Sequence, residues 1–210
     1  MRILVVSFSV NGAMGDNFFL LTKFFSKEHE VFVVTNKNIG YELLGTKNIC
    51  NIPFDRKKPL DFVNPLSYYC IYKYVHSLDF DVCFIHSPHP VNRFIYRIVD
   101  HKKIISFVHS GVRQLDAYLL KAQYKDYFKY SAKIIVSCHF MKNDILRLGL
   151  IKDEKKIAVN YLGLIENLVY PKNENKILDI DVLFFGRIEY YKGLDILVEA
   201  GKQMKNVKFM

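Results

Sequence analysis

Short runs of apolar, β-prone residues recur along the chain with room for a helix between most of them. These runs lie at 3–8, 31–35, 48–52, 82–86, 104–108, 134–137 and 157–160. Amphipathic helical spacing covers about 16–27, 65–78, 91–100, 113–130 and 140–148, the last closed by Gly149. Strands that alternate with helices predict an α/β fold, a Rossmann-like, doubly wound parallel sheet wrapped by helices.

The pattern is interrupted by a polar stretch at 171–176 and then restarts. This stretch reads Pro-Lys-Asn-Glu-Asn-Lys, which is typical of a linker. An apolar run at 182–185, a helical segment from about 192 to 203 and an apolar run at 207–210 follow it. We therefore expect a first domain over 1–165, a linker over 166–179 and, over 180–210, an incomplete β-α-β start of a second Rossmann-like domain.

Composition narrows the range of partners. A net charge of +9 over 210 residues, without a long basic run, favours an anionic partner such as a phosphate or an acidic lipid headgroup. Nucleic acid is disfavoured because zinc-ligand spacing, an RNP-like aromatic motif and an isolated basic helix are all missing. Four cysteines without a C-x-x-C pair, and no apolar stretch of the roughly 18 residues that a membrane span needs, predict a cytoplasmic protein.

The turn after the first strand is the first candidate site, because ligands of doubly wound sheets bind beyond the strand carboxyl ends where strand order reverses. Gly12 lets a ligand approach the backbone, and the following helix N-terminus favours an anion; an ordinary β–α turn is the alternative. The first glycine of G-x-G-x-x-G is absent, and the second strand ends in Thr35-Asn36 without an acid. A nicotinamide dehydrogenase is therefore disfavoured.

Histidines follow two strands that should be neighbours. His86 and His89 lie after the fourth strand, and His109 lies after the fifth. A histidine at a strand end can donate a hydrogen bond to a sugar hydroxyl or a phosphate. Switch-point position favours function for His109, whereas His86 and His89 are either ligand contacts or loop histidines satisfied by backbone. Zinc is disfavoured because no carboxylate or thiolate stands at ligand spacing.

Two cations follow the apolar run at 182–185. Arg187 lies just past the predicted strand and Lys192 at the predicted helix start. A guanidinium, an ammonium and free helix N–H groups form a good clamp for a diphosphate. The alternative is a solvated pair of charges on a β–α loop.

The stretch at 184–200, FFGRIEYYKGLDILVEA, resembles the opening of the donor domain in family 4 glycosyltransferases of the GT-B fold. Other segments agree in order and spacing, at 12–13, 29–31, 108–111, 132–137 and 157–163. The resemblance spans nearly the whole chain. It implies that 1–165 is the acceptor-side domain and that 180–210 begins the nucleotide-sugar-binding domain.

The resemblance also implies roles for individual residues. His109 is the catalytic residue near the transferred sugar, Arg187 and Lys192 hold the donor diphosphate, and the Gly12 turn lies beside donor and acceptor. Apart from the resemblance, position at the strand ends makes His86, His89 and Asn11 possible acceptor-side residues. Asn11 replaces the first glycine of the family's turn, and Met14 replaces an acid common among relatives.

We therefore expect a retaining, hexosyltransferase-type enzyme that uses a nucleotide-sugar donor and neither metal nor cofactor. Its acceptor would be a saccharide or a lipid-linked glycan in cell-envelope polysaccharide or lipopolysaccharide biosynthesis. The family's paired-glutamate segment is not found, so we expect a truncated or fragment form with little activity by itself. The alternatives are a non-catalytic acceptor- or membrane-binding module completed by a separate donor-domain partner, and a sugar-nucleotide epimerase on the same scaffold.

Basic helix faces bear on membrane contact. Arg93 and Arg97 share one face, and a second face carries the lysines and nearby tyrosines Lys121, Lys125, Lys129, Tyr118, Tyr124 and Tyr127. Such faces are compatible with peripheral docking on the anionic cytoplasmic side of a membrane. The alternative is solvated helix faces over a tyrosine-rich core.

Overall fold

The computed structural model describes residues 1–8, 12–36, 44–52, 64–109, 118–161, 181–184, 186, 188, 190–204 and 207–208. The chain divides into two compact units, Met1–Leu162 and Gly163–Met210. The predicted linker over 166–179 lies outside the described residues, and the roles assigned to the two domains stay predictions.

Strands and helices alternate through the first unit. In chain order they are β1 (Arg2–Ser7), α1 (Gly12–Phe25), β2 (Glu30–Thr35), β3 (Ile49–Asn51), α2 (Pro65–His76), β4 (Val82–Ile85), α3 (Asn92–Ile98), β5 (Ile104–Val108), α4 (Tyr118–Tyr130), β6 (Lys133–Val136), α5 (His139–Arg147) and β7 (Ile157–Val159). Short 3-10 turns, His101–Lys103 and Glu154–Lys156, precede β5 and β7. The predicted helix start at 113–117 lies outside the described residues.

Local chemistry sets several of these ends. Asn64 caps α2, because its Oδ1 accepts the backbone N–H of Leu66 at 3.0 Å, and Pro65 opens the first turn. Gly149 follows α5 at a φ of 65°, a left-handed conformation that suits a residue without a Cβ. Helix α1 begins at Gly12, whereas the apolar spacing predicted a start near 16. The prediction missed the first turn because that turn carries no amphipathic pattern.

Seven strands of the described chain form one parallel sheet in the order β3-β2-β1-β4-β5-β6-β7. Strand order reverses between β1 and β4, whose register pairs Val6 with Ile85. Strands β4 and β5 are neighbours, as predicted. The structure therefore confirms a Rossmann-like, doubly wound sheet with its switch point between β1 and β4.

Both faces of the sheet are covered, which explains the continuous apolar runs of the central strands. On one face, Leu4 and Val6 of β1 pack in a large apolar core with residues of α2, α3, α4 and α5. On the other face, Ile3 and Val5 pack with Phe18 of α1. Alternation along the strand sends neighbouring residues to opposite faces.

The second unit contains a 3-10 turn at Tyr190–Lys192 and the helix α6 (Leu194–Gln203). Gly193, at a φ of 66°, joins the two. The backbone N–H of Val182 donates to the carbonyl oxygen of Lys208 at 3.1 Å, so the two apolar runs of this unit meet in a short bridge. No described residue of α6 is buried, and Ile196 is 71% exposed.

Candidate active site

Polar side chains gather at the carboxyl ends of β1 and β4, which flank the switch point, and of the neighbouring β5. Ser7 ends β1, His86 follows β4 and His109 follows β5. The backbone N–H of His86 donates to the carbonyl oxygen of Val6 at 2.9 Å, which holds the end of β4 against β1. The structure thus brings together His86 and His109, two of the residues that the sequence singled out.

The ring of His86 is fully buried and is held from two sides. Its Nε2 lies 2.9 Å from Oδ1 of Asn17 on α1, and its Nδ1 lies 3.5 Å from Oγ of Ser7. An amide oxygen can only accept, so these partners assign the proton to Nε2. Burial, and the nearby His109, lower the pKa of His86 to about 3, which keeps the ring neutral at physiological pH.

His109 sits above this ring and is half-buried. Its Nε2 lies 2.8 Å from the carbonyl oxygen of His86, which can only accept, so Nε2 carries a proton. The imidazole stacks on Phe107 at 5.7 Å between ring centroids, and the His86 ring lies 4.6 Å away. Burial lowers the pKa of His109, although the hydrogen bond to His86 opposes the shift. The neutral tautomer leaves Nδ1 as a hydrogen-bond acceptor or a proton acceptor.

Buried polar groups hold the loop after β4 in place. Asn92 Nδ2 donates to the carbonyl oxygen of Ser87 at 2.7 Å and lies 3.1 Å from the hydroxyl oxygen of Tyr127. His89 Nδ1 lies 3.4 Å from the backbone nitrogen of Val91. Because the rings of His86 and His89 are buried, direct contact of either with an acceptor stays a prediction.

Sequence reasoning missed four of the residues that build this site, which are Ser7, Asn17, Asn92 and Tyr127. None belongs to a recognisable motif. The available signal was a polar residue on an otherwise buried strand end or helix face, where an unpaired polar group would be costly.

The remaining predicted site residues are only partly described. Gly12 begins α1 at the carboxyl end of β1, so the helix N-terminus lies at this edge of the sheet, as anion binding requires. Asn11 and Arg187 lie outside the described residues. Lys192 is exposed at the end of a 3-10 turn in the second unit. The diphosphate clamp therefore stays a prediction.

The structure resolves part of the question about basic helix faces. Tyr124 and Tyr127 are buried in the core, and Arg93 pairs with Asp126 at 2.9 Å. Lys125 and Lys129 are exposed, while the side chains of Tyr118 and Lys121 lie outside the described residues. Across the parts of the chain that the structure covers, no helix is both long and apolar enough to cross a membrane.

The family model described as Glycosyltransferase Family 4 matches residues 19–165. The chain is similar to Alr3699/HepE from Anabaena, solved in complex with UDP and glucose, with a TM-score of 0.67, 15% identity and coverage of 100% of this chain and 60% of that one. No curated protein matches the sequence.

Two further solved structures are similar. A glycosyltransferase from Rickettsia africae ESF-5 has a TM-score of 0.63 and 17% identity, with 99% of this chain and 58% of that chain covered. The lipopolysaccharide outer core galactosyltransferase WaaB in its apo form has a TM-score of 0.61 and 15% identity, with coverage of 100% and 59%. At such identities the likeness shows the fold, and the chain spans about 60% of the length of these structures.

Proposed function

The chain belongs to glycosyltransferase family 4, and from this we propose that it transfers a sugar from a nucleotide-sugar donor to a saccharide or lipid-linked acceptor. One observation carries the proposal. His109, with Nε2–H bound to the His86 carbonyl oxygen, stands at the carboxyl end of β5, beside the switch point where ligands of doubly wound sheets bind. A ring held in this way presents Nδ1 to a sugar hydroxyl.

The proposed reaction is a hexosyl transfer that retains anomeric configuration. The acceptor oxygen forms the new bond to the anomeric carbon as the bond to the diphosphate oxygen breaks, and the acceptor proton passes to the departing diphosphate. Negative charge develops on the diphosphate, where Arg187 and Lys192 would stabilise it without a metal. Within the first unit, the N-terminus of α1, which begins at Gly12, has the partial positive charge that suits an anionic ligand.

A UDP-hexose is the donor that we propose to test first. HepE was solved with UDP and glucose, and WaaB is a galactosyltransferase that acts on the lipopolysaccharide outer core, which supports this choice and a role in cell-envelope glycan synthesis. Both structures share only 15% identity with this chain. The proposal therefore names the donor class, a UDP-hexose, and does not select one sugar.

Donor binding is the direct test. We expect Arg187→Ala and Lys192→Ala each to weaken binding of UDP-glucose or UDP-galactose about tenfold or more, because each removes a charged hydrogen bond to the diphosphate. Isothermal titration calorimetry on the full chain measures this, with GDP-mannose as the test of base selectivity.

Lys202→Ala is the matched control, since Lys202 is an exposed lysine of the same unit that pairs with Glu199 at 2.6 Å. Equal affinity in the wild type and in both clamp variants would contradict the donor clamp. If the chain bound none of the nucleotide sugars but did bind saccharide acceptors, a non-catalytic acceptor-binding module would be the better interpretation.

We also propose that the protein works at the anionic cytoplasmic face of a membrane, where a lipid-linked acceptor would lie. Exposed Arg97, Lys125 and Lys129 on α3 and α4, together with the net charge of +9, support this placement. Reversing these three charges to glutamate should lower cosedimentation with phosphatidylglycerol vesicles about tenfold or more. Lys102→Glu, an exposed lysine before β5, is the control; unchanged binding of the triple variant would rule out this surface.

A further inference from the structure

Part-buried hydrogen bonds and a ring contact connect helix α1, through His86, to the residue that faces the proposed substrate. Oδ1 of Asn17 lies 2.9 Å from Nε2 of His86, and the carbonyl oxygen of His86 accepts from Nε2 of His109 at 2.8 Å. The two imidazole rings are also in contact, with centroids 4.6 Å apart. The hydrogen bond of His109 goes to the main chain of His86, so it is through the ring contact that a rotation of the His86 ring would displace His109.

The bond from Asn17 is the stronger of the two contacts that hold the His86 ring. On the other side of the ring, the Ser7 hydroxyl lies 3.5 Å from Nδ1 and only 3.2 Å from Oγ of Ser87, so it has a second partner. A hydrogen bond at 2.9 Å is near the optimum, whereas 3.5 Å is at the limit. The orientation and the tautomer of His86 therefore depend mainly on Asn17.

We propose that Asn17 is a positioning residue that holds His86 as the Nε2–H tautomer and, through the His86 ring, fixes the imidazole of His109 toward the substrate. Only the orientation of His109 toward the substrate rests on the proposed function, because the hydrogen bonds and ring contacts exist without a substrate. Asn17 acts through His86: of the two histidines, its side chain bonds to His86, while His109 bonds to the His86 carbonyl oxygen.

The amide of Asn17 suits this position better than a carboxylate would. An amide oxygen accepts the Nε2 proton without adding charge, so the buried His86 stays neutral. A carboxylate at the same distance would favour the imidazolium, and the positive charge would lie beneath His109. Among the described residues, the other contacts of the His86 ring are Ser7, Phe18 and Phe107, which are uncharged, and His109, whose pKa is lowered by burial.

Nuclear magnetic resonance of the full chain labelled with 15N-histidine tests the assignment without any substrate. At neutral pH we expect the wild type to show His86 protonated at Nε2 alone. Asn17→Asp, which preserves shape and acceptor, should raise the pKa of His86 by about 1–3 units and shift the resonances of His109. Asn17→Leu should remove the preference for the Nε2–H tautomer and also shift the His109 resonances.

Asn64→Asp is the matched control, because Asn64 Oδ1 also accepts a hydrogen bond, but from the backbone N–H of Leu66 at the α2 N-terminus and from neither histidine. It should leave both histidines unchanged. The proposal is overturned if His86 carries its proton on Nδ1 in the wild type, or if the His109 resonances are the same in the wild type, Asn17→Asp and Asn17→Leu.

Kinetics then separates this inference from the proposed function. With a working donor, Asn17→Leu should lower kcat about tenfold with little change in the donor KM, since the loss falls on orientation of the reacting groups. Altered His109 resonances without any sugar transfer by the wild type would leave the positioning role intact and contradict the proposed function. Normal transfer by a variant with altered resonances would instead overturn the catalytic consequence assigned to Asn17.

Discussion

His109→Ala is expected to lower the rate of sugar transfer about 100-fold or more, because it removes a preorganised imidazole from the site where the sugar binds. The wild-type ring is fixed by the bond from Nε2 to the His86 carbonyl oxygen and by stacking on Phe107. Alanine provides neither the orientation nor the Nδ1 acceptor. Release of UDP from a UDP-hexose, with and without acceptor, measures the change.

The chain offers a close control at the other end of β5. His101 also lies with Nε2 2.8 Å from a backbone carbonyl oxygen, that of Tyr96, and its ring lies 4.8 Å from Tyr130. His101→Ala therefore removes comparable interactions at the amino edge of the sheet, away from the switch point. Equal losses of rate in the two variants would mean that His109 contributes to stability and has no special role in transfer.

The free energy of unfolding is expected to fall steeply in acid because of His86. The folded protein holds the pKa of His86 at about 3, whereas an unfolded histidine titrates near its ordinary value of 6.5. Between these two values the unfolded state binds one more proton at this histidine than the folded state does. The contribution of His86 to the free energy of unfolding is therefore fully present above pH 6.5 and is lost as pH falls toward 3. Over this pH interval, His86 lowers the free energy of unfolding by about 1.4 kcal/mol for each pH unit of acidification. The lowered pKa of His109 acts in the same direction.

His86→Gln isolates this contribution, because the glutamine amide can still donate to Asn17 Oδ1 but does not titrate. Urea unfolding followed by circular dichroism, from pH 7 down to about pH 4, gives the two stability curves. We expect the free energy of unfolding to fall more steeply with acid in the wild type than in the variant, by about 1.4 kcal/mol per pH unit. Parallel curves would mean that His86 is already protonated in the folded state or is exposed in solution.

Much of the fold could be predicted from the order of apolar runs alone. The runs at 3–8 and 31–35 became β1 and β2, and His109 follows β5 beside β4 as the doubly wound pattern requires. Strand and helix ends were less predictable. Helix α1 starts at Gly12 and β3 is only Ile49–Asn51, because capping and edge pairing set these limits and apolar periodicity does not.

The amino-acid sequence by itself determined the alternation of strands and helices, the position of histidines at strand ends and the family resemblance at 184–200. Only the tertiary structure decided that His86 is buried as a neutral ring, that Asn17 holds it, and that Tyr124 and Tyr127 belong to the core. The physical reason is that a buried polar group takes its partner from whichever element packs against it. Asn17 and His86 are 69 positions apart, and no local spacing records such a contact.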